Sequence, residues 1–137
     1  MKHHIDLPVL DARETLKSAH SGEKTRKAII YIAGPITGLK NGNKAAFAEA
    51  ADALRKIGYA VLNPATLPDD MPADRYMPIC LSMVQAADII CMLPGWSASR
   101  GANIELDFAK YQGKDVRILE DLLNPNRQEA AYDPAYD

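Results

Sequence analysis

The chain has 137 residues, of which 47% are hydrophobic and 25% are charged, and its formal net charge is −2. This length and balance indicate one globular domain and exclude a largely disordered chain. Because charges of both signs are interspersed, the sequence lacks the basic stripe that a nucleic-acid backbone requires. Small molecules are therefore the expected partners.

The cysteines and the apolar runs indicate the compartment. Cys80 and Cys91 both lie in apolar runs and are too few for a disulfide framework or a metal cage. No apolar run reaches the ~20 residues that span a bilayer, and the charged N-terminus lacks the apolar core of a signal peptide. We expect a cytoplasmic protein with core cysteines, no membrane contact and no bound metal.

The chain is predicted to consist of a main domain over residues 28–119, an accessory segment over 1–27 and a tail over 120–137. For the tail, disorder and docking onto a neighbouring subunit are both open. In the accessory segment, a weak amphipathic stripe after Pro8 predicts a short helix that Gly22 ends. The residues of this stripe are Val9, Leu10, Ala12, Leu16 and Ala19.

The main domain begins with a continuous apolar, β-branched run over 28–33, which predicts a central strand covered on both faces. The run ends at Gly34, Pro35 and Ile36. Glycine at the end of a strand lets main-chain N–H groups approach a ligand closely. A purely structural turn is the alternative, and the motif taken alone favours it.

A helix with a periodic apolar face follows, from about Asn43, the expected N-cap, to Ile57. A second strand over 59–62 ends at Asn63, where the next residue is a proline. The segment 63–75 contains several prolines and paired acids and is predicted to be a loop. A loop of this length at the carboxyl end of a strand is often a lid or a binding loop.

The alternation then repeats, with a helix over about 74–87, a strand from Asp88, a helix from about Ser99 to Gly113 and a strand over 115–119. This order predicts an α/β fold, namely a three-layer sandwich with a doubly wound, flavodoxin-like parallel sheet of four to five strands. The site is expected across the carboxyl ends of the first and third strands.

Glu105 carries the strongest chemical signal. It lies one to two turns into the third predicted helix, where the three- and four-residue spacing places Gly101, Ala102, Phe108 and Ala109 on its face. Three of these four residues are small, so a ligand has room beside the carboxylate, and no Lys or Arg on that face pairs with it. An ordinary polar or sheet-facing Glu is an alternative of equal weight.

Five segments together resemble a known group. They are Tyr31-Ile-Ala-Gly-Pro-Ile, Ala87-Asp88-Ile-Ile, Leu93-Pro-Gly-Trp, Ser99-Arg-Gly-Ala-Asn-Ile-Glu-Leu and Gly113-Lys-Asp-Val. Over roughly residues 28–119 the chain resembles small phage and prophage proteins of unknown function in the nucleoside 2-deoxyribosyltransferase-like superfamily. The segment that begins at Ser99 is the specific part of the resemblance.

The resemblance implies that Glu105 is a nucleophile that attacks the anomeric carbon of a nucleoside or nucleotide and forms a covalent glycosyl-enzyme. Water then completes a hydrolysis, and a second base completes a transfer. Tyr31 matches a Tyr that orients the catalytic Glu in the transferases, and an amphipathic core Tyr is the alternative. The resemblance implies no cofactor, and it implies a homo-oligomer in which a neighbour completes the site.

The resemblance also assigns substrate contacts. Ser99 matches the phosphate-binding Ser of the superfamily's monophosphate hydrolases, although Ser is also the commonest N-cap residue. Trp96 stacks on a nucleobase or packs within its own or a neighbouring subunit. Arg100 pairs with a phosphate or is solvated. The predicted substrate-binding residues are Gly34, Pro35, Ile36, Asn63, Gly95, Trp96, Ser99, Gly101 and Ala102.

One position departs from the group. The transferases carry an Asp near the leaving base, and Cys80 occupies the matching position here. A thiol cannot take over this proton transfer unless its pKa is strongly altered. Either Asp69, Asp70 or Asp74 serves instead, or the protein is a non-catalytic nucleotide-binding or regulatory module. Cleavage of a nicotinamide-ribose bond ranks lower, because no dinucleotide fingerprint is present.

Overall fold

The structure, a computed structural model, describes residues 15–17 and 25–124. Its first two strands, β1 (Thr15–Lys17) and β2 (Thr25–Lys27), form a separate antiparallel ribbon. The predicted helix is therefore wrong at Leu16, because main-chain pairing of two strands that each begin with a β-branched Thr outweighs a weak amphipathic pattern. The rest of that predicted helix lies outside the described residues.

Four parallel strands form the main sheet, in the order β4-β3-β5-β6. They are β3 (Ile29–Ala33), β4 (Ala60–Leu62), β5 (Ile89–Met92) and β6 (Asp115–Ile118). The chain leaves β3 towards β4 on one side and returns to β5 on the other. This reversal is the topological switch point of a flavodoxin-like sheet, so the predicted fold is confirmed.

Four helices connect the strands and cover both faces of the sheet. They are α1 (Lys44–Lys56), α2 (Tyr76–Ala86), α3 (Arg100–Tyr111) and α4 (Leu119–Leu123). One core lies between the sheet and α1 with α4, and a second lies between the sheet and α2 with α3. Within the part of the chain that the structure describes, no helix has the length and apolar character needed to cross a bilayer.

Strand β3 serves both cores because successive side chains of a strand point to opposite faces. Ile30 and Ile32 pack in the core on the α1 side, whereas Tyr31 and Ala33 pack in the core on the α2–α3 side. All four side chains are at most 1% exposed. The buried, two-sided strand that the sequence predicts is therefore confirmed, and it directs Tyr31 towards α3.

Asn43 immediately precedes α1, as predicted, but its side chain has a different role, and the predicted end of β6 differs from the structure. Asn43 has a left-handed backbone (φ 61°) and does not cap α1 with its side chain; instead its Nδ2 donates to the Pro35 carbonyl at 2.9 Å. It therefore fastens the loop that follows β3. At the other end of the domain, Leu119 begins α4 rather than ending β6, and Leu122 is buried against the α1-side core. Leu122 belongs to the predicted tail, and its apolar side chain gains more from this contact than from solvent.

Candidate functional site

A broad cleft opens at the carboxyl ends of β3 and β5, where the sheet topology reverses. Its volume is about 1730 Å³, above the roughly 300–1,000 Å³ typical of small-molecule sites. Loops that follow β3, β4 and β5 form its rim, and α1, α2 and α3 supply its walls. This is the position at which open α/β sheets bind ligands, and its size accepts a nucleotide.

Glu105 lies in this cleft on α3, held by a hydrogen bond from the central strand. The Tyr31 hydroxyl donates to Glu105 Oε2 at 2.9 Å, and the Glu105 side chain is only 7% exposed. Ala102, Leu106 and Ala109 bury the same helix in the core on the α2–α3 side. The carboxylate is therefore fixed by a well-packed helix on one side and by a rigid strand on the other.

Burial dominates the ionisation of this pair. It raises the pKa of Glu105 from 4.5 to about 7, against the opposing effect of hydrogen bonds from Tyr31 and Cys80, which favour the charged form. Burial also raises the pKa of Tyr31, and the neighbouring carboxylate raises it further. Tyr31 is therefore a neutral donor over the pH range near neutrality in which Glu105 exchanges its proton.

Cys80 completes a cluster of three side chains. It lies on α2, lines the cleft, and is within hydrogen-bonding reach of both Tyr31 and Glu105. Burial raises the pKa of its thiol, as does the Glu105 charge. A neutral thiol donates only a weak hydrogen bond, so Cys80 supports the Glu105 carboxylate but supplies no second negative charge.

Ser99 stands at the start of α3 and has two functions open to it. Its Oγ accepts a hydrogen bond from the Ala102 N–H at 3.1 Å, so it is the N-cap. The hydroxyl hydrogen is separate from this bond and can still be donated to a ligand in the cleft. Arg100 and Gly101, the first two residues of the helix, also line the cleft. Main-chain N–H groups at such a terminus favour an anion.

Most of the predicted substrate-binding residues line the cleft, but two do not. Trp96 is 1% exposed and packs in the core on the α2–α3 side, so of its two predicted roles the structure shows packing within its own subunit and not a position where it could stack on a base in the cleft. Asn63 is also buried, and its Oδ1 accepts from the Ala65 N–H, which fixes the turn after β4. The residues that do line it are Gly34, Pro35, Ile36, Gly95, Ser99, Gly101 and Ala102.

Gly34 is required by packing rather than by a ligand. A Cβ at this position would lie 2.9 Å from Leu93 Cβ, which is closer than van der Waals contact allows. The glycine therefore lets the ends of β3 and β5 approach each other. This agrees with the structural alternative, which the motif taken alone favours, rather than with a glycine that admits a ligand.

Two glycine substitutions are expected to have opposite effects on stability. Gly34→Ala should lower the free energy of unfolding by about 1–3 kcal/mol, since Leu93 Cβ, and with it the Leu93 backbone, has to shift. In Gly101→Ala the new Cβ meets its nearest atom, Met77 Cε, only at 3.7 Å, so helix propensity should raise stability by about 0.5–1 kcal/mol. Urea unfolding of both variants measures this, and a stable Gly34→Ala would contradict the packing argument.

The sequence-based reasoning missed an ion pair at the rim. Lys44 Nζ and Asp69 Oδ2 are 2.7 Å apart, and both residues line the cleft, as does Glu49. Of the three acids considered as substitutes for the missing Asp, Asp69 lines the cleft, and Asp70 and Asp74 do not. Lys44 follows three consecutive residues with a left-handed backbone. Such a turn leaves no periodic pattern in the sequence, so the direction of the Lys44 side chain was not predicted.

A metal centre was not expected from the sequence. Among the side chains that the structure describes, no group of three or more His, Cys, Asp or Glu residues is arranged to hold a metal ion.

The fold and the site define an α/β protein of flavodoxin-like topology with a buried carboxylate at the switch point of its sheet. The chain belongs to the family described as Domain of unknown function (DUF4406), whose model matches residues 28–118. A comparison with curated proteins gives no match.

Among solved structures, 14 chains match. One is a 2-desoxiribosyltransferase from Leishmania mexicana, with a TM-score of 0.55 and 23% sequence identity. The similarity covers 66% of this chain and 63% of that chain, so this chain spans less than two thirds of the length of the transferase. At this identity the similarity shows a shared fold, which is the fold that the sequence predicts.

Proposed function

We propose that this protein cleaves the N-glycosidic bond of a nucleoside or nucleoside 5′-monophosphate, as an N-glycosidase or a 2-deoxyribosyltransferase-like enzyme. Glu105 is the nucleophile and Tyr31 orients it. The observation that carries the proposal is the buried Glu105 carboxylate, hydrogen-bonded by Tyr31 at 2.9 Å inside a ligand-sized cleft. Burial of a carboxylate destabilises the fold, and such a cost is typical of functional sites.

The chemistry proceeds in two displacements. An oxygen of ionised Glu105 attacks the anomeric carbon, a C–O bond forms, and the C–N bond breaks with its electron pair leaving on the base. In the second step, water attacks the same carbon, releases the carboxylate and transfers its extra proton to solvent. If a second base attacks instead, the sugar is transferred. The positive charge that develops on the sugar favours the ionised form of Glu105.

The departing base needs a proton, and Cys80 is a poor source because burial raises the pKa of its thiol. Of the acids considered, Asp69 is the one that lines the cleft, but it is ion-paired there with Lys44. A base that leaves easily, or one that is protonated by water through the open side of the cleft, reduces this requirement. Separately, deoxyribose substrates should react faster than ribose substrates, because the electron-withdrawing 2′-hydroxyl of ribose destabilises the oxocarbenium-like transition state.

Ser99 and the start of α3 support a preference for 5′-monophosphates. The Ser99 hydroxyl, the Arg100 side chain and the first N–H groups of the helix are all donors. Ser99, Arg100 and Gly101 all line this end of the cleft. Donors of this kind suit a phosphate better than a neutral hydroxymethyl group.

A panel of substrates tests the proposal. The purified protein is incubated with ribo- and deoxyribonucleosides and their 5′-monophosphates, and free base is measured by chromatography. Base release from the monophosphates, absent from a Glu105→Ala variant, supports a nucleotide N-glycosidase; addition of a second free base distinguishes transfer from hydrolysis. Absence of release from every member contradicts the proposal.

A non-catalytic nucleotide-binding module is the second candidate, and the observation that favours it is Cys80. A thiol stands where the resemblance implies a carboxylate, and it is within hydrogen-bonding reach of Glu105. The module would bind a nucleotide, seen as a raised melting temperature, without releasing base. Homo-oligomerisation and a phage or prophage origin also stay predictions, and light scattering measures the first of them.

Replacement of Tyr31 with Phe tests its positioning role. Loss of the hydrogen bond to Glu105 should raise the pKa of the carboxyl further above about 7. A hydrogen bond to a charged group contributes about 1.5–3 kcal/mol, so base release at pH 7 should fall about 10- to 100-fold and recover partly at higher pH. The measurement is the pH profile of kcat/KM.

Tyr111→Phe is the matched control for this substitution. Tyr111 lies on α3, the helix that carries Glu105, but it is 85% exposed and does not line the cleft. Its replacement should leave the pH profile unchanged. An unchanged profile for Tyr31→Phe would mean that Tyr31 is only a core residue.

A further inference from the structure

The loop between β5 and α3 carries several cleft residues but has little regular structure of its own. It contains one 3₁₀ turn, Trp96–Ala98, followed by Ser99 in an extended conformation. Gly95, Ala98 and Ser99 from this loop line the cleft. A loop of this kind keeps its shape only if its main-chain carbonyl groups find donors.

Asn103 supplies side-chain donors to three of these carbonyls, and the Trp96 carbonyl also accepts from the Ser99 N–H at 2.9 Å. Its Nδ2 lies 2.8 Å from the Ser99 carbonyl oxygen, 3.1 Å from that of Ser97 and 3.5 Å from that of Trp96. The Asn103 main-chain N–H also donates to the Ser99 carbonyl, at 3.0 Å. One side chain in the first turn of α3 therefore contacts three main-chain carbonyl oxygens of the preceding loop.

The position of Glu105 does not depend on this arrangement. Glu105 is two residues further along α3, on the buried face, where Ala102 and Leu106 anchor the helix in the core and Tyr31 binds the carboxylate. Asn103, in contrast, is half-buried and faces the loop. Loss of its amide should loosen the loop and Ser99 while the nucleophile stays in place.

We propose that Asn103 is a positioning residue that holds the loop 95–99 in its ligand-binding conformation, and that it sets affinity for the phosphate end of the ligand rather than the rate of bond cleavage. The choice of ligand, a nucleoside 5′-monophosphate, rests on the proposed function. The role of Asn103 in the loop rests on its three contacts with main-chain carbonyls.

Two substitutions separate this role from a general loss of stability. Asn103→Ala removes the donors, and Asn103→Asp keeps the shape but places a carboxylate against three carbonyl oxygens. The control is Asn124→Ala, which also removes an Asn amide-to-carbonyl bond, from Asn124 Nδ2 to the Glu120 carbonyl at 3.1 Å, outside the cleft. Melting temperatures of all three variants show whether each is folded.

Two measurements are made on these variants. The KM and kcat of base release are measured with a deoxynucleoside 5′-monophosphate. The Kd for the same compound is measured by calorimetry in a Glu105→Gln background, which prevents turnover. We expect Asn103→Ala to raise KM and Kd about 10-fold with kcat changed less than twofold, and Asn103→Asp to raise them further, as the loss of one to two hydrogen bonds predicts. Asn124→Ala should change neither.

The outcomes distinguish this inference from the proposed function. A lower kcat with an unchanged KM would overturn it, because Asn103 would then act through Glu105, and an unchanged Kd in both Asn103 variants would overturn it as well. If the native protein releases no base but its Kd is weakened by Asn103→Ala, the enzymatic proposal fails and the positioning role stands. A native protein that binds no monophosphate overturns both.

Discussion

Glu105→Gln is expected to abolish base release, with a loss of at least about 10³-fold in kcat, since an amide oxygen cannot form the glycosyl ester. The substitution keeps the size of the side chain and an oxygen that accepts the Tyr31 hydrogen bond, so the cleft should keep its shape and its ligand. Chromatography of the free base measures the loss. Mass spectrometry of the native protein, quenched during turnover, should detect the added mass of the sugar on the peptide that contains Glu105.

Glu49→Gln is the matched control for this experiment. Glu49 also lines the cleft, but it is solvent-exposed and lies on α1 rather than beside Tyr31. Its replacement should change kcat by no more than a few-fold. Base release that persists in Glu105→Gln at more than a tenth of the native rate would exclude Glu105 as the nucleophile.

The same substitution should change how stability depends on pH. Because burial raises the pKa of Glu105 from 4.5 to about 7, the folded state keeps its proton over a range in which the unfolded chain loses it. The unfolded state therefore binds fewer protons, and the free energy of unfolding falls as pH rises from 4.5 through 7. Between pH 5 and pH 8 this single group should cost the native protein about 2–3 kcal/mol.

Urea unfolding at pH 5 and pH 8 measures this effect. Glu105→Gln should have nearly native stability at pH 5 and should be more stable than the native protein by about 2–3 kcal/mol at pH 8. Glu49→Gln leaves Glu105 in place and is the control for this measurement. This test needs no substrate, so it applies equally to an enzyme and to a binding module. Equal pH dependence of both variants would mean that Glu105 is not desolvated in solution.

The architecture is predictable from the sequence because its signals are local. The β-branched run at β3 and the apolar periodicity of α1 identify these elements, and their alternation leads to the three-layer sandwich. The errors occur where a distant partner decides the structure. Leu16 joins a strand because β2 pairs with β1, and Leu119 enters a helix because α4 packs on α1. Neither contact has a local pattern.

The site is less predictable than the fold. The combination of Tyr31 and Glu105 follows from the resemblance, and the structure joins them by a hydrogen bond; their roles in a reaction stay predictions. Trp96 lies in the loop that borders the cleft, but its ring turns into the core. Sequence position alone does not specify the direction of a loop side chain. The pair of Lys44 and Asp69 joins residues that are far apart in the chain.

The two walls of the cleft are built independently. Tyr31 and Cys80 belong to the core between the sheet and α2 with α3, and Glu105 lies beside them, whereas the opposite wall comes from α1 and the loop after β4. For protein engineering this separation is useful, because a library confined to Lys44, Glu49 and Asp69 would vary ligand choice without repacking the core that holds the carboxylate. Natural variation has the same freedom, so members of one family can share the buried carboxylate and still differ in the molecules that they accept.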